Sequence, residues 1–251
     1  MSKGRYVTGL RAVEQLLASG DASVRRVYAE YKTVNPRVAA IIEKANANGI
    51  EVQPANRGRL RQISGEARHQ GIVAEILRDT QLDEAGLRSL VEDQLQSPSE
   101  RKLLLLVLDG IQDPHNLGAC MRTSDAAGVD AIVVPRHGAA SLGPTVSKVA
   151  AGAAEHLPFA AVGNVGRVLD WLKDYGVAVV GTSDQGDASL FDTDLDCHLA
   201  LVMGREHTGL GKGVASRCDT LVSLPMAGAV SSLNVSVATG ICLYETLRQR
   251  R

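Results

Sequence analysis

The chain has 251 residues, of which 45% are hydrophobic and 3% aromatic, and its net charge is −1. This length and apolar content allow a sizeable core in one large domain or two small ones. The longest apolar run, residues 103–108, is too short to cross a bilayer, and no leading signal peptide is visible. Aromatic rings are too scarce for a base-stacking RNA module.

The cysteines have no CxxC spacing and lie mostly in apolar helix or strand patterns; they are Cys120, Cys197, Cys218 and Cys242. This pattern indicates reduced packing residues and argues against both a disulfide framework and a zinc site. We therefore expect a soluble cytoplasmic protein that has neither a membrane nor a metal partner.

Basic charge is concentrated at the start of the chain. Residues 1–78 contain 13 Lys and Arg against 7 Asp and Glu, whereas residues 79–102 and 103–251 are both net acidic. Such a segment favours contact with nucleic-acid phosphates, and the alternative is an ordinary solvated surface. The candidate RNA-binding residues are Arg25, Arg26, Arg57, Arg59 and Arg61.

The first 78 residues alternate between helix and strand patterns. In chain order, the pattern predicts a helix over 5–18, a strand over 24–28, a helix over 36–48, a strand over 50–53, a short basic helix over 57–63 and a strand over 72–76. We expect a small α/β domain here. Residues 79–102 are rich in Asp, Glu, Gln and Ser, and we interpret them as a linker.

The rest of the chain, residues 103–251, predicts a second domain with the same alternation. Strands are expected at 103–108, 131–134, near Phe159, and at 177–181, 199–203 and 221–224. Helices are expected from Asn116 and over 144–154, 165–175 and 233–248. This order is typical of a parallel sheet with helices on both faces.

Polar, glycine-containing loops follow the strands at 103–108, 199–203 and 221–224. Loops of this kind meet at the carboxyl ends of parallel strands and form a ligand crevice. The third loop ends in the Ser-Asn turn at 231–234, and taken alone this turn is also explained as an ordinary helix N-cap. No GxGxxG follows the first strand, and Leu210 stands where a phosphate loop needs Lys. HExxH and GxSxG motifs are missing as well.

These loops carry the residues of a known family. The sets are Asn116-x-Gly118-x-x-x-Arg122, Gly204-x-Glu206-x-x-Gly209, and Pro225-Met226-x-Gly228 with Ser232-Leu233-Asn234-Val235-Ser236. They resemble the three motifs of the SpoU-type RNA ribose 2′-O-methyltransferases of the SPOUT superfamily. The likeness extends through residues 7–13 and 69–74, so it covers nearly the whole chain.

The resemblance implies a fold and an activity. The fold is a small ribosomal-protein-L30e-like RNA-binding domain over 1–78, the linker, and a knotted methyltransferase domain over 103–251, whose deep trefoil knot is an exception to the rule against threading. The activity is S-adenosylmethionine-dependent 2′-O-methylation of a guanosine ribose in large-subunit 23S rRNA by a homodimer. A tRNA ribose methyltransferase and a catalytically inactive RNA-binding dimer are the alternatives.

The resemblance also implies roles for individual residues. The expected donor-binding residues are Gly204, Leu224, Met226, Leu233 and Asn234, and the expected catalytic residues are Arg122, Asn116, Asn234, Ser232 and Glu206. Arg122 matches a residue proposed elsewhere in the family as a general base. Because a guanidinium stays protonated at working pH, we expect Arg122 to clamp a phosphate of the target. His115 and His207 titrate in a suitable range but lie beside the motif positions, so we expect supporting roles.

Overall fold

The computed structural model describes residues 5–18, 24–31, 35–65, 69–76, 80–98, 100–205 and 208–251. They fall into two compact units, one up to Thr80 and one from Gln81 onwards. Within the described ranges, every helix is too short or too polar to cross a membrane.

The smaller unit has one four-stranded sheet in the order β1-β4-β2-β3. Its elements are β1 (Arg5–Thr8), α1 (Leu10–Ala18), β2 (Val24–Glu30), α2 (Pro36–Ala47), β3 (Glu51–Ala55), α3 (Arg57–Ser64) and β4 (Ile72–Ile76). Strand β4 is antiparallel to β1 and β2, and β3 is parallel to β2. The predicted helix over 5–18 is wrong at its start, because residues 5–8 pair with β4 as an edge strand.

The larger unit is built on an eight-stranded parallel sheet in the order β10-β12-β9-β11-β6-β7-β8-β5. The strands are β5 (Gln81–Leu82), β6 (Leu104–Leu108), β7 (Ala131–Pro135), β8 (Phe159–Val162), β9 (Ala178–Thr182), β10 (Ala188–Ser189), β11 (Leu199–Met203) and β12 (Thr220–Ser223). The helices are α4 (Glu84–Gln96), α5 (Pro114–Ala126), α6 (Pro144–Ala150), α7 (Val165–Asp174), α8 (Lys212–Ala215) and α9 (Val235–Gln249).

Alternating side chains of the central strands fill a separate core on each face of this sheet. Leu104, Leu106 and Leu108 point to one core, whereas Leu105 and Val107 point to the other. The first core includes side chains of α5, α6 and α9, and the second includes those of α4 and α7. Strands buried on both faces explain the unbroken apolar runs in the sequence.

The linker predicted over 79–102 is wrong for residues 81–96. Gln81 and Leu82 pair with β8 at the sheet edge, and α4 begins at an Asp83 N-cap whose carboxylate accepts from the Gly86 amide at 2.8 Å. Leu87 and Val91 of α4 are fully buried in the second core. The weak helical pattern in this acidic segment therefore marks a packed helix of the larger unit.

Candidate active site

The carboxyl ends of four neighbouring parallel strands lie side by side in the larger sheet, and this side of the sheet is called here the carboxyl edge. Strand β11 lies between β6 and β9, and β12 lies on the far side of β9. Because neighbouring strands are about 4.8 Å apart, the loops after β6, β11 and β12 leave the sheet within about 15 Å of one another. The carboxyl edge of an open parallel sheet is the place where ligands bind.

The loops after β6 and β11 are joined by direct contacts. The Asp109 carboxylate accepts a hydrogen bond from the Gly211 amide at 2.9 Å, and the Asp109 amide donates to the Met203 carbonyl at 2.8 Å. Gly110 has a φ of 84°, and a Cβ there would lie 2.6 Å from Nε of Arg205. Only glycine allows Arg205 to pass so close to this backbone.

Gly204 begins a tight turn at the end of β11. The Arg205 amide donates to the Gly209 carbonyl and the Gly209 amide donates to the Arg205 carbonyl, both at 3.0 Å. A Cβ on Gly204 would overlap the backbone of Gly209 and Leu210. The turn therefore presents main-chain atoms at the sheet edge. Glu206, a predicted catalytic residue, and His207, for which a supporting role is expected, lie outside the described residues.

Asn116 and Asn234 are joined by a direct hydrogen bond. Asn234 is the N-cap of α9, and its Oδ1 accepts from the Ser236 amide at 2.8 Å and from the Ser236 hydroxyl at 2.6 Å. Its Nδ2 donates to Oδ1 of Asn116 in the first turn of α5 at 3.1 Å. Further along, Cys120 Sγ lies 3.6 Å from the Thr239 hydroxyl. The two helix starts are thus fixed to each other.

Arg122 is an exposed residue of α5. It lies six residues after Asn116, which corresponds to about 9 Å along the helix axis and about 120° around it. Arg122 thus follows Gly118 on the side of α5 that packs on α6, whereas Asn116 faces α9. Its guanidinium has no hydrogen bond or ion pair with any described residue.

The segment between β12 and α9 runs without helix or strand. Leu224 packs partly against the first core, and Met226 is half-buried, while Ser232 and Leu233 are exposed. The predicted donor residues on this segment are therefore placed on an open loop that begins at the same sheet edge as the Gly204 turn.

The cysteine thiols and His156 near these elements are held in place by burial or by a side-chain contact. Burial raises the pKa of Cys218 to about 11 and that of Cys242 to about 12, so both stay protonated at neutral pH. His156 contacts the Asp125 carboxylate at 2.6 Å, which links the segment between α6 and β8 to α5. All four cysteines are free, and no described group of three or more His, Cys, Asp or Glu is suited to hold a metal.

The predicted RNA-binding arginines all lie in the smaller unit. Arg25 contacts Glu75 at 3.4 Å, Arg26 contacts Glu51 at 2.8 Å, and Arg57 contacts Glu30 at 2.6 Å. Arg59 donates to Gln62 at 3.1 Å, and Arg61 is exposed in the last turn of α3. Most of these cations are thus held by neighbouring side chains.

Sequence reasoning missed Asp109 and Arg205. Arg205 follows the motif residue Gly204, Asp109 precedes Gly110, and both connect the loop after β6 to the loop after β11. Asp109 directly after a fully apolar strand was a visible signal, since a buried carboxylate needs donors. The approach of Arg205 to Gly110 left no signal in the sequence, because it depends on two loops far apart along the chain.

Comparison with known proteins identifies two matched families. Residues 103–244 match the SpoU rRNA Methylase family, and residues 6–81 match the family described as RNA 2′-O ribose methyltransferase substrate binding. The chain is 44% identical over 250 residues to the 23S rRNA (guanosine-2′-O-)-methyltransferase RlmB of Ralstonia nicotianae, covering 100% of this chain and 98% of that protein. The Escherichia coli protein of the same name is 42% identical, with 97% and 98% covered.

A solved structure agrees with these matches. The SpoU methyltransferase AviRb of Streptomyces viridochromogenes, crystallised with the cofactor AdoMet, aligns with a TM-score of 0.70 and 25% identity. The alignment covers 99% of this chain and 91% of that chain. The similarity therefore extends over both units.

Proposed function

Because this chain belongs to the SpoU rRNA methylase family, we propose that it transfers the methyl group of S-adenosylmethionine to the ribose 2′-hydroxyl of a guanosine in 23S rRNA. The observation that carries the proposal is the hydrogen bond between Asn116 and Asn234, which joins two motifs at the sheet edge. The full-length similarity to enzymes named for this reaction supports the choice of substrate. We expect the protein to act in the cytoplasm, where rRNA is made.

The Gly204 turn and the loop after β12 are the proposed donor site. Main-chain atoms at Gly204, Leu224 and Leu233 would hold S-adenosylmethionine, with Met226 and Asn234 beside it. The residues fit such a ligand, because glycine at position 204 lets the turn close tightly with its main chain at the sheet edge and because Leu224 offers apolar surface beside it. The bound donor supplies a methyl group on a positively charged sulfur.

In the proposed reaction, the 2′-oxygen of the ribose forms a bond to the methyl carbon. The carbon–sulfur bond breaks, its electron pair stays on sulfur, and the hydroxyl proton is released to water. Arg122 would bind a phosphate next to the target ribose, since its guanidinium stays charged and is free of carboxylates among the described residues. Asn116, Ser232, Asn234 and Glu206 would orient the ribose and the donor. Holding both reactants together can lower the barrier by about 7 to 11 kcal/mol at most.

A homodimer is part of the proposal. Exposed apolar side chains lie on or just before α9; they are Val230, Leu233, Val237 and Tyr244, at 64%, 37%, 50% and 53% exposure. A second copy of the chain would bury them, as symmetric interfaces do. Analytical ultracentrifugation at micromolar concentration tests this, and a strict monomer would contradict it.

We also propose that the larger unit contains the trefoil knot. Strand β12 is inserted between β9 and β10, although β9 and β10 follow each other directly along the chain. The connection between them passes close over β12, because a Cβ on Gly186 would lie 2.6 Å from the Val222 carbonyl carbon. This crossing is the support for threading of the C-terminal segment.

The experiment that tests the function maps ribose methylation in RNA from a strain lacking the gene. We expect one guanosine in 23S rRNA to lose its 2′-O-methyl group and to regain it when the wild-type gene is restored. Loss of methylation in tRNA alone would favour the tRNA alternative. Unchanged methylation of both RNAs would favour the inactive RNA-binding dimer.

A further inference from the structure

The two faces of the smaller sheet differ in chemistry. On one face, Val7, Val27 and Ala74 belong to the core that also contains side chains of α1 and α2. Residues directly opposite each other on paired strands share a face. The other face therefore carries the row Tyr6, Glu75, Arg26 and Glu51, one residue from each strand.

A buried carboxylate organises this second face. Glu75 is only 7% exposed, and it accepts hydrogen bonds from the Tyr28 hydroxyl at 3.1 Å and from Arg25 at 3.4 Å. Arg26 lies over the Tyr28 ring, 5.9 Å from its centroid, and donates from Nε to Glu51 at 2.9 Å. The arginines are thus held in fixed positions. Arg25 uses one of its five N–H groups in this contact, so the others stay available.

Tyr6 lies at one end of this row, on the edge strand β1. Its ring centroid is 6.4 Å from that of Tyr28, and it packs beside Ile63 of α3. Burial raises the pKa of Tyr6 and nearby Glu75 adds to the rise, whereas the charges of Arg59 and Arg25 oppose it. Arg59 is a residue of α3, and Leu60 and Ile63 of this helix pack with Tyr28 on the same face. Both Arg25 and Arg59 are exposed.

We infer that this face, defined by Tyr6, Arg25, Arg26 and Arg59 and called here the tyrosine face, is the surface with which the smaller unit binds RNA. The inference rests on the proposed function, which makes RNA the substrate. Arginines would contact phosphates, and the partly exposed Tyr6 ring would stack on an unpaired base, as aromatic side chains on sheets do in RNA recognition. Arg57 is paired with Glu30 at the end of β2 and is not part of this set.

The opposite side of the unit provides a matched control. Arg37 of α2 is exposed and makes a two-point contact with Glu14 of α1, at 3.3 and 2.7 Å. It has the same charge as Arg25 and a comparable carboxylate partner. It belongs to the helices on the other face of the sheet.

The experiment measures binding of the full-length protein to transcribed 23S rRNA over a range of salt concentrations. We expect the variant Arg25→Gln/Arg59→Gln to bind several-fold more weakly, with the slope of log affinity against log salt reduced by about one per lost arginine. Tyr6→Leu should weaken binding about fivefold to a hundredfold and leave the slope unchanged. Arg37→Gln should match wild type.

Thermal unfolding of each variant separates loss of binding from loss of folding. The two arginine substitutions are at exposed positions outside the core. Wild-type affinity and slope in the double arginine variant would overturn the inference. So would a weakening in Arg37→Gln as large as that in the double variant. Methyl transfer by the same wild-type preparation is measured in parallel. If wild type methylates 23S rRNA but RNA binding does not depend on the tyrosine face, only this inference is refuted. If wild type fails to methylate 23S rRNA, the proposed function is refuted.

Discussion

The arginines of the larger unit near the carboxyl edge and those of the tyrosine face differ in whether they contact a carboxylate. In the larger unit, Arg205 at the carboxyl edge and Arg122 farther along α5 are exposed and have no carboxylate partner among the described residues. On the tyrosine face, Arg25 and Arg26 contact Glu75 and Glu51. An unpaired guanidinium has all five N–H donors available for a ligand. A guanidinium paired with a carboxylate is held in a fixed position and presents its remaining donors at a defined place on the surface. The difference fits the two proposals, which are methyl transfer at the carboxyl edge and RNA binding on the tyrosine face.

The largest expected effect concerns the unpaired charge of Arg122. Arg122→Ala should lower kcat/KM for methyl transfer to RNA by a factor on the order of 10² to 10³, because a preorganised charge contact to the acceptor is lost. A tritium-transfer assay measures the rate, and calorimetry should show unchanged binding of the donor.

Arg167→Ala is the matched control for Arg122. Arg167 is also an exposed helix arginine, but it pairs with Glu84 at 2.6 Å and lies on α7, which packs on the other face of the sheet. Exposed ion pairs contribute about 0 to 1 kcal/mol. If Arg122→Ala transfers methyl groups as fast as Arg167→Ala, the distinction between free and paired arginines has no functional meaning.

The edge also depends on close backbone packing, which the tyrosine face does not need. Gly186→Ala should reduce the free energy of unfolding by about 2 to 3 kcal/mol, because the new Cβ collides with the backbone of Leu221 and Val222. Gly163→Ala is the control, since nothing lies within 4 Å of a Cβ there. Chemical denaturation measures both. Equal stability of the two variants would contradict the close crossing over β12.

The hydrogen bond between Tyr28 and Glu75 on the tyrosine face contributes to stability, and deleting the Tyr28 hydroxyl oxygen removes it. Tyr28→Phe deletes the hydroxyl that donates to Glu75 and should cost about 1.5 to 3 kcal/mol, the usual range for a hydrogen bond to a charged group. Tyr6→Phe on the same face should cost much less, since its ring supplies the contacts with Tyr28 and Ile63. Thermal unfolding compares them, and an equal loss in both would show that Glu75 does not depend on Tyr28.

The two regions were also unequally predictable from the sequence. The residues at the carboxyl edge come in short runs, such as 204–209 and 232–236. A sequence motif therefore identifies them without any knowledge of the fold. The tyrosine face takes one residue from each of four strands, and only the register brings Tyr6, Arg26, Glu51 and Glu75 into one row. Sequence reasoning found the arginines there and missed both tyrosines and the carboxylates that hold them.

Strand and helix alternation predicted the parallel sheet, which the structure confirms. Its failures have physical causes. Residues 5–8 continue the apolar pattern of α1, yet pairing with β4 makes them a strand. The acidic surface of α4 hid the buried Leu87 and Val91. The insertion of β12 between β9 and β10 is a long-range pairing that no local pattern encodes.

The smallest expected effect on stability separates a cap from a functional contact. Asn234→Ala and Asn164→Ala each remove an N-cap, of α9 and α7 respectively, and each should cost about 1 kcal/mol in unfolding free energy. Only Asn234 also donates to Asn116, so only Asn234→Ala should slow methyl transfer. Adding Asn116→Ala to it should slow transfer less than the two single effects combined, because they share one contact. Additive effects would show that the bond between α5 and α9 does not organise the edge for catalysis.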